Sequence, residues 1–376
     1  MLMYLTAGES HGRNITAILE GIPAGLGLTE EYINKELLRR QKGYGRGGRM
    51  EIEEDKATVT GGIMSGETIG SPICLVIENR DWREDKDEKI YTRPRPGHAD
   101  LAGALKYDRQ DLRDIQERAS ARETAGRVAA GAVCRKFLLE FGIKVFSYVE
   151  QIYNARCKPI SSAELKELYS KIEGSPVRCP DKGIEKKMMA EIDKAKENND
   201  SVGGIFRVIA TGVPTGLGSH IQWDLRLDGR LAQSVMSIQA VKGVEIGTGF
   251  DFAEHTGSET HDEIYYDKKR GFYRKTNNAG GIEGGITNGE DIVLRAVMKP
   301  IPSLKKPLKS VDIRTKEPVL AEIIRADVCA VPACSVIAEA VVSFELAKAF
   351  KEKFGGDSIK ETKRNFEGYI EQIKDF

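Results

Sequence analysis

The chain has 376 residues, of which 40% are hydrophobic, and its 57 basic and 57 acidic residues balance to a formal net charge of +0. That length is enough to bury a large core in one big domain or in two ordinary ones. A balanced charge argues against a general nucleic-acid or membrane-surface protein, because either would need a sustained basic field. Any basic binding site must therefore be local.

The six cysteines are scattered along the chain and form no C-x-x-C pair. No spacing of histidine and cysteine resembles a zinc site, so we expect no metal. The sequence shows neither an N-terminal hydrophobic signal segment nor a long apolar span. Together these features predict a reduced, soluble, cytoplasmic protein.

The first recognisable pattern is Gly8-Glu9-Ser10-His11-Gly12, which follows a predicted strand at Met3–Ala7. It matches G-x-S-x-G, the nucleophile elbow of many serine hydrolases, and a serine hydrolase is therefore one hypothesis. The pattern also holds one of only five histidines, and a titratable ring beside glycine can approach a ligand closely. Ser10 and His11 are alternative candidates for the chemical role.

A second strand is predicted at 14–20, and Thr29 is placed to cap a helix that runs to about residue 40. This helix leads into residues 39–49, which hold five cations, four glycines and no acid. We interpret the segment as an anion site, because arginine grips phosphate and carboxylate groups bidentately. A solvated basic face and an RGG-type RNA-binding segment are the alternatives.

Residues 57–60 and 73–77 predict paired strands, and the charged run at 81–89 predicts an exposed loop. Next comes Arg93-Pro94-Arg95-Pro96-Gly97-His98, ahead of an Ala-rich segment at 99–107 that predicts a helix. Rigid prolines and two arginines around His98 favour a proton-transfer or phosphate-contact role. The alternative is an idle, exposed loop histidine.

A long helix of small residues is predicted at 120–140, and Ser120 as its N-cap, between Arg118 and Arg122, marks an anion-binding corner. From about 154 to 199 the composition shifts to Lys, Glu and Ser, with two amphipathic helices predicted at 161–173 and 182–197. We interpret these residues as a helical insertion in a single domain of residues 1–376.

The second half of the chain predicts strands at 205–210, 291–298 and 319–324 and helices at 229–241 and 332–350, with a break at 242–247. Residues 277–289 hold five glycines but lack both the Rossmann spacing and the Lys-Ser/Thr pair of a Walker loop. They predict an ordered loop close to a flat or polyanionic ligand. Asp327, two residues after Arg325, is interpreted as an ion-pair residue, with a functional base as the alternative.

Three stretches resemble the signature regions of the chorismate synthase family. They are Gly8-Glu9-Ser10-His11-Gly12 with Glu20-Gly21-Ile22-Pro23, Arg118-Ala119-Ser120-Ala121-Arg122-Glu123-Thr124 through Gly131, and Arg325-Ala326-Asp327 through Glu339. Residues 95–100, 241–245 and 277–281 are also similar to that family. The resemblance spans nearly the whole chain and is weakest at 154–199.

The resemblance implies a lyase that converts 5-enolpyruvylshikimate 3-phosphate to chorismate and phosphate. The reaction is a 1,4-elimination that needs reduced FMN without net redox change, and it is the last common step of the shikimate pathway. The implied fold is an α+β sandwich with a central helical layer between two antiparallel sheets, assembled as a homotetramer. The alternative is a flavin-binding protein or reductase without lyase activity. An external flavin reductase is favoured over reduction by the chain itself with NADPH.

The same resemblance implies roles for individual residues. His11 would protonate the reduced flavin or balance its charge, His98 would serve the leaving phosphate, and Asp327 would help to remove the C6 proton. The substrate-binding residues would be Arg40, Arg46 and Arg49. The cofactor-binding residues would be Arg118, Ala119, Ser120, Gln239, Ala240, Gly284, Lys299, Pro300, Ile301, Pro302, Ser303 and Arg325. The chain departs from the family pattern at Ala119, Asn278, Ala326 and Val328.

Overall fold

The computed structural model describes residues 2–47, 54–80, 82, 90–324 and 327–376. Its helices are α1 (Glu30–Gln41), α2 (Asp100–Tyr107), α3 (Arg113–Ala119), α4 (Thr124–Leu139), α5 (Ser162–Gly174), α6 (Lys182–Glu197), α7 (Leu227–Met236), α8 (Gly257–Thr260), α9 (Val331–Phe354) and α10 (Ile359–Lys374). In these ranges, none of the helices is both long enough and apolar enough to cross a membrane.

The strands are β1 (Met3–Ala7), β2 (Asn14–Glu20), β3 (Ala57–Gly61), β4 (Ile63–Met64), β5 (Glu67–Thr68), β6 (Ile73–Glu78), β7 (Lys144–Ile152), β8 (Ala155–Arg156), β9 (Gly204–Thr211), β10 (Val241–Ile246), β11 (Ile264–Asp267), β12 (Gly271–Arg274), β13 (Ile282–Glu283), β14 (Ile286–Thr287), β15 (Ile292–Met298), β16 (Lys309–Val311) and β17 (Pro318–Leu320).

Two antiparallel sheets form the outer layers. The four-stranded sheet has the order β1-β2-β6-β3, and the five-stranded sheet has the order β10-β15-β9-β7-β8. Every neighbouring pair in both sheets is antiparallel. The other strands pair as the hairpins β4–β5, β11–β12, β13–β14 and β16–β17.

Helices α4 and α9 pack on each other between the sheets. α4 contacts β2 of the four-stranded sheet, and α9 contacts β7 and β9 of the five-stranded sheet. Both helices are buried on almost all sides, as expected for helices that are apolar all round. Pro332 lies in the first turn of α9, and Gly355 with φ +60° ends it. The predicted α+β sandwich with a central helical layer is confirmed.

Most predicted elements are found, but three boundaries are wrong. The helix predicted at 120–140 begins at Thr124, because the backbone of Ser120 is extended and a 3₁₀ turn at Ala121–Glu123 intervenes. The helix predicted at 229–241 ends at Met236, since Val241–Ile246 pairs with β15 as an edge strand rather than forming a break. The strand predicted at 319–324 is limited to Pro318–Leu320. The charged run at 81–89 lies outside the described residues except for Trp82.

The helical insertion packs on the five-stranded sheet. Its helices α5 and α6 start close to the predicted residues, with Ser161 and Asp181 as their N-caps. On one face of β7, the hydroxyl of Ser147 donates a hydrogen bond to Glu339 of α9. On the other face, the ring of Phe146 lies 4.9 Å from the ring of Tyr169 in α5. β7 is therefore covered on both faces, which explains why almost all of its residues are buried. The division into one domain with an insertion stays a prediction.

A buried cluster of charges joins the helices, the five-stranded sheet and the insertion. Glu339 of α9 is 1% exposed and contacts Arg39 of α1, Arg135 of α4 and Arg178 between α5 and α6. Its carboxylate lies 2.8 Å from Arg39 and 3.0 Å from Arg178. Burial alone would raise the pKa of Glu339, but the three guanidinium groups hold it well below its ordinary value. Arg39, one of the cations that suggested an anion site, is thus buried in the core and paired with Glu339.

The close contact between α4 and α9 makes Gly131 sensitive to substitution. A Cβ at this position would lie 2.6 Å from the carbonyl oxygen of Ala340. We expect Gly131→Ala to lower the free energy of unfolding by up to about 2 kcal/mol, because an overpacking cost of about 1–3 kcal/mol is only partly offset by the roughly 1 kcal/mol gain in helix propensity. Urea denaturation measures this change. In the control Gly368→Ala, where a Cβ would meet no atom within 4 Å, we expect no loss; equal losses would contradict the proposed cause.

Removing the charge of Glu339 should destabilise the protein strongly. Glu339→Gln keeps the size of the side chain but removes the carboxylate that all three buried guanidinium groups share, and leaves them Glu36 and Glu173 as partners. We expect a loss of about 3–5 kcal/mol in the free energy of unfolding. The control Glu352→Gln breaks a pair with Arg230 in which the glutamate side chain is 40% exposed, and should lose no more than about 1 kcal/mol. Similar losses in both variants would show that the cluster is dispensable.

Candidate active site

The turn between β1 and β2 presents Ser10 and His11. Gly8 has φ +108°, and a Cβ there would lie 2.2 Å from the carbonyl oxygen of Asn14, so the turn requires glycine. The side-chain amide of Asn79 donates to two carbonyl oxygens of the turn, at 2.7 and 3.2 Å. The close contact at Gly8 and the hydrogen bonds from Asn79 therefore both hold the turn in place.

Ser10 faces inward at this turn. It is 4% exposed, and its oxygen accepts a hydrogen bond from the Ser120 hydroxyl at 3.2 Å. Its backbone N–H donates to the carbonyl oxygen of Glu117 at 3.0 Å. A nucleophile elbow exposes its serine to the substrate, so this buried hydroxyl pair does not fit the serine hydrolase hypothesis.

His11 faces outward, with 53% of its side chain exposed, and Glu117 holds its ring. The ring Nδ1 lies 2.8 Å from Oε1 of Glu117, and the backbone N–H of His11 donates to Oε2 at 2.6 Å. An ionised carboxylate can only accept hydrogen bonds. The neutral ring therefore carries its proton on Nδ1, and Nε2 is the nitrogen that faces away from Glu117.

His98 is held in the same way by Asp100, the first residue of α2. Asp100 is fully buried, and its Oδ1 lies 2.5 Å from His98 Nδ1. Arg95 donates to the second oxygen of Asp100 at 2.9 Å and to the hydroxyl of Ser303 at 2.6 Å. Burial alone would raise the pKa of Asp100, but the hydrogen bonds from His98 and Arg95 lower it below its ordinary value.

Two of the predicted cofactor segments meet at the loop of His98. Lys299 donates from Nζ to the carbonyl oxygen of Gly97 at 2.7 Å and from its backbone N–H to that of Ala240 at 2.9 Å. Burial lowers the pKa of Lys299, and the neighbouring Lys242 lowers it further. Lys299 thus joins the segment at 239–240 to the loop of His98.

A cleft of about 460 Å³ opens beside the edge strand β1. It is lined by Tyr4, Leu5, Thr6, Arg118, Glu123, Arg127, Ser237 and Gln239. Arg118 donates to the carbonyl oxygens of Thr6 and Gly8, at 2.8 and 3.1 Å. Gln239 donates to Glu123 at 3.3 Å, but its buried Oε1 has no hydrogen-bond partner among the described residues. The cleft thus offers a guanidinium group and an unused acceptor to a ligand.

Asp327 pairs with the glycine-rich basic segment. Arg46 Nη1 lies 2.9 Å from its Oδ2, and the backbone N–H of Gly47 donates to its Oδ1 at 2.6 Å. Gly45 is enclosed, since a Cβ there would lie 2.8 Å from a methyl group of Ile192 in α6. The pair supports the ion-pair interpretation of Asp327.

The helical insertion supports this basic segment. Tyr44 donates from its hydroxyl to Asp193 of α6 at 2.9 Å and from its backbone N–H to the carbonyl oxygen of Pro176 at 2.7 Å. Residues 154–199, which the sequence set apart from the catalytic core, therefore contact the basic segment at Tyr44 and Gly45, next to Arg46.

Arg40 lies in the core, with 6% of its side chain exposed. It donates to Asp55 at 3.1 Å, to the Thr124 hydroxyl at 3.0 Å and to the carbonyl oxygen of Ala121 at 2.9 Å. Arg122 contacts the other oxygen of Asp55. The predicted substrate-binding residue Arg49 and the predicted cofactor-binding residue Arg325 lie outside the described residues.

Gly284 lies apart from the other predicted residues that the structure describes. It lies in the turn of the β13–β14 hairpin, where Gly285 accepts a hydrogen bond from the backbone N–H of Leu227 at the start of α7. Within the described parts of the chain, no hydrogen bond connects this hairpin to the sites of His11 or His98.

Sequence reasoning gave no role to the two carboxylates that hold the histidines. Asp100 follows His98 by two residues, and Glu117 directly precedes Arg118, so both lie beside residues that were selected. A histidine that exchanges protons through Nε2 needs a partner for Nδ1. A search for acids beside each selected segment would have found both.

The chain is similar to proteins of one family over its full length. A family model described as chorismate synthase matches residues 2–350. Chorismate synthase of Geobacter sulfurreducens is 58% identical over 394 aligned positions, covering 100% of both chains. That of Aquifex aeolicus is 53% identical and covers 100% of this chain and 99% of the relative. A crystal structure of chorismate synthase matches with a TM-score of 0.84 at 47% identity, covering 100% of this chain and 99% of the other.

Asp100→Asn should make the stability of the protein less dependent on pH. The pKa of Asp100 is below its ordinary value of 3.8, so its charged form stabilises the fold above that pH and the contribution is lost as the pH falls. We expect the variant to be less stable at pH 7, because Arg95 loses its partner. The free energy of unfolding, measured by urea denaturation over a pH series, should fall less steeply below about pH 4 in the variant than in the unaltered protein. A fall of equal steepness would contradict this account.

Proposed function

The chain belongs to the chorismate synthase family, and from that premise we propose how its site carries out the family's reaction. The protein is a lyase of the shikimate pathway. The pairing of two histidines with carboxylates is the observation that supports the proposed catalytic histidines. His11 and His98, which lie in the family segments, are the two of five histidines that pair with a carboxylate in the described structure.

The substrate, 5-enolpyruvylshikimate 3-phosphate, carries a phosphate and two carboxylates, so its site needs several cations close together. We assign this role to Arg46, Arg40 and Arg49. Arg46 pairs with Asp327 at 2.9 Å, and a substrate carboxylate would compete for the same guanidinium group. Arg40 donates to the carbonyl oxygen beside Ser120, which supports placing it in the wall of the same site.

His98 is the proposed acid for the leaving phosphate. Asp100 holds Nδ1, so Nε2 is the atom that would give its proton to a phosphate oxygen as the C–O bond breaks. Arg95 and Lys299 lie in the same group of contacts and would stabilise the departing negative charge. A positioned general acid typically contributes about 10²–10⁴-fold to the rate.

The family uses a reduced flavin, and we propose that this chain binds reduced FMN. When bound, the flavin lends electron density to the breaking C–O bond and recovers it afterwards. With Nδ1 already protonated toward Glu117, a second proton held at Nε2 would give His11 a positive charge that balances the charge of the cofactor. Binding of the substrate to Arg46 would release Asp327 from its ion pair with that arginine. Asp327 would then accept the C6 proton of the substrate.

The residues of the cleft fit a flavin. The buried Oε1 of Gln239, which has no hydrogen-bond partner among the described residues, suits the imide N–H of a flavin ring, and Arg118 suits an anionic group. The proposed cofactor-binding residues are Arg118, Ala119, Ser120, Gln239, Ala240, Gly284, Lys299, Pro300, Ile301, Pro302, Ser303 and Arg325. Ala119 can contribute only its backbone.

We also propose, from the family alone, that the chain assembles as a homotetramer and receives its reduced FMN from an external reductase. Anaerobic oxidation of NADPH by the purified protein would contradict the second of these proposals. A cytoplasmic location stays a prediction from the sequence.

The reaction itself is tested by phosphate release under anaerobic conditions, with and without reduced FMN. We expect phosphate from 5-enolpyruvylshikimate 3-phosphate only when reduced FMN is present. Release at the same rate without flavin would refute the proposed mechanism. Binding of FMN without phosphate release would favour the alternative of a flavin-binding protein or reductase.

His98→Ala should lower turnover by at least about 10²-fold, because the leaving phosphate loses its acid. The affinity for reduced FMN should stay close to that of the unaltered protein, and the same phosphate assay and a flavin titration measure the two quantities. The control is His220→Ala, which removes an exposed histidine outside the family segments and should keep full turnover. Unchanged turnover in His98→Ala would rule out the proposed role.

A further inference from the structure

Helix α3 presents three consecutive side chains to different parts of the site. Gln116 donates to Asp100, the carboxylate that holds one catalytic histidine, at 3.3 Å. Glu117 holds His11, the other histidine, at 2.8 Å. Arg118 reaches the turn between β1 and β2. One short helix therefore contacts both histidine sites.

The position of α3 is fixed by its surroundings. Asp111, just before the helix, accepts two backbone N–H groups at 3.0 and 3.1 Å. In α2, Gly103 lets Ile115 approach so closely that a Cβ at 103 would lie 2.4 Å from it. Because α2 begins with the carboxylate that binds His98, contact between the two helices fixes His11 relative to His98.

We propose that Glu117 is a positioning residue for the reaction, and that it sets both the orientation and the tautomer of His11. Its two oxygens bind two groups of the same residue, the ring Nδ1 and the backbone N–H. The ring cannot turn away without losing a hydrogen bond to a charged acceptor, which is stronger than one to a neutral acceptor. The inference rests on the proposed function of His11.

The side chain of Glu117 can be changed without releasing the turn. Its backbone carbonyl oxygen, not its carboxylate, accepts the hydrogen bond from Ser10 at 3.0 Å. Glu117→Gln keeps this bond and nearly the same side-chain volume but removes the charge. The variant should therefore fold, and thermal unfolding verifies this.

The test is a double-mutant cycle of Glu117→Gln and His11→Ala, measured as anaerobic phosphate release with reduced FMN. We expect Glu117→Gln alone to lower kcat by at least about tenfold, with KM for the substrate unchanged. This loss is smaller than the about 10²–10⁴-fold contribution of a general acid or base itself, because the ring of His11 is still present. In the His11→Ala background it should cause no further loss, because Glu117 acts through His11. An equal loss in both backgrounds, or no loss in either, overturns the proposal.

A second readout needs no flavin. With histidine labelled by ¹⁵N, the full-length protein at about pH 8.5, where histidine is ordinarily neutral, should show His11 protonated at Nδ1, assigned by comparison with His11→Ala. Glu117→Gln should populate both tautomers, and an unchanged spectrum overturns the proposal. If His11→Ala keeps full turnover, the proposed role of His11 fails instead, and the tautomer still tests whether Glu117 positions the ring.

The matched control is Asp114→Asn on the same helix. It removes a carboxylate whose pair with Arg109 lies at the surface, with side-chain exposures of 40% and 56%. We expect unaltered kcat and an unaltered His11 spectrum. Changes in this variant equal to those in Glu117→Gln would mean that any loss of charge from α3 has the same effect, and the proposal would be wrong.

Discussion

The architecture depends on one buried carboxylate, that of Glu339. Burying an ion far from water is costly, and the cost is offset only when several partners surround it in good geometry. Here the partners come from α1, α4 and the connection between α5 and α6, and a serine of β7 donates to the carboxylate at 2.6 Å. None of these elements can shift alone without exposing a buried charge, so the helical layer and the five-stranded sheet are set relative to each other.

The site lies in the connections around this rigid layer. α1 ends one residue after Arg40 and the chain continues into the segment of Arg46, while α4 begins at Thr124, within the family segment that contains Ser120. The two histidines lie on turns, but each is bound by a carboxylate that a helix carries. The helices therefore fix the positions of the two histidine rings, as expected when a rigid scaffold positions residues that lie in loops.

The family resemblance predicted the layers of the fold, and strong local signals predicted α1 with its cap Thr29 and the two amphipathic helices α5 and α6. Local sequence patterns were misleading for residues whose role depends on distant partners. Arg39 looked like part of an anion site, because local composition cannot show that Glu339, 300 residues further on, neutralises it. The family resemblance supplied the site residues, whose roles stay predictions. Glu117 was missed because its approach to the ring of His11, 106 residues away in the chain, is a tertiary contact. Asp100 was missed although it lies only two residues after His98.

The insertion at 154–199 has a bearing on attempts to make this protein smaller. Its composition marks it as the obvious segment to delete. Deletion would expose the face of β7 that carries Phe146 and would remove the partners of Tyr44 in the basic segment at 39–49. Arg178, one of the three arginines around Glu339, would be lost as well. A minimal version of this enzyme must therefore keep the segment that looks most like an addition.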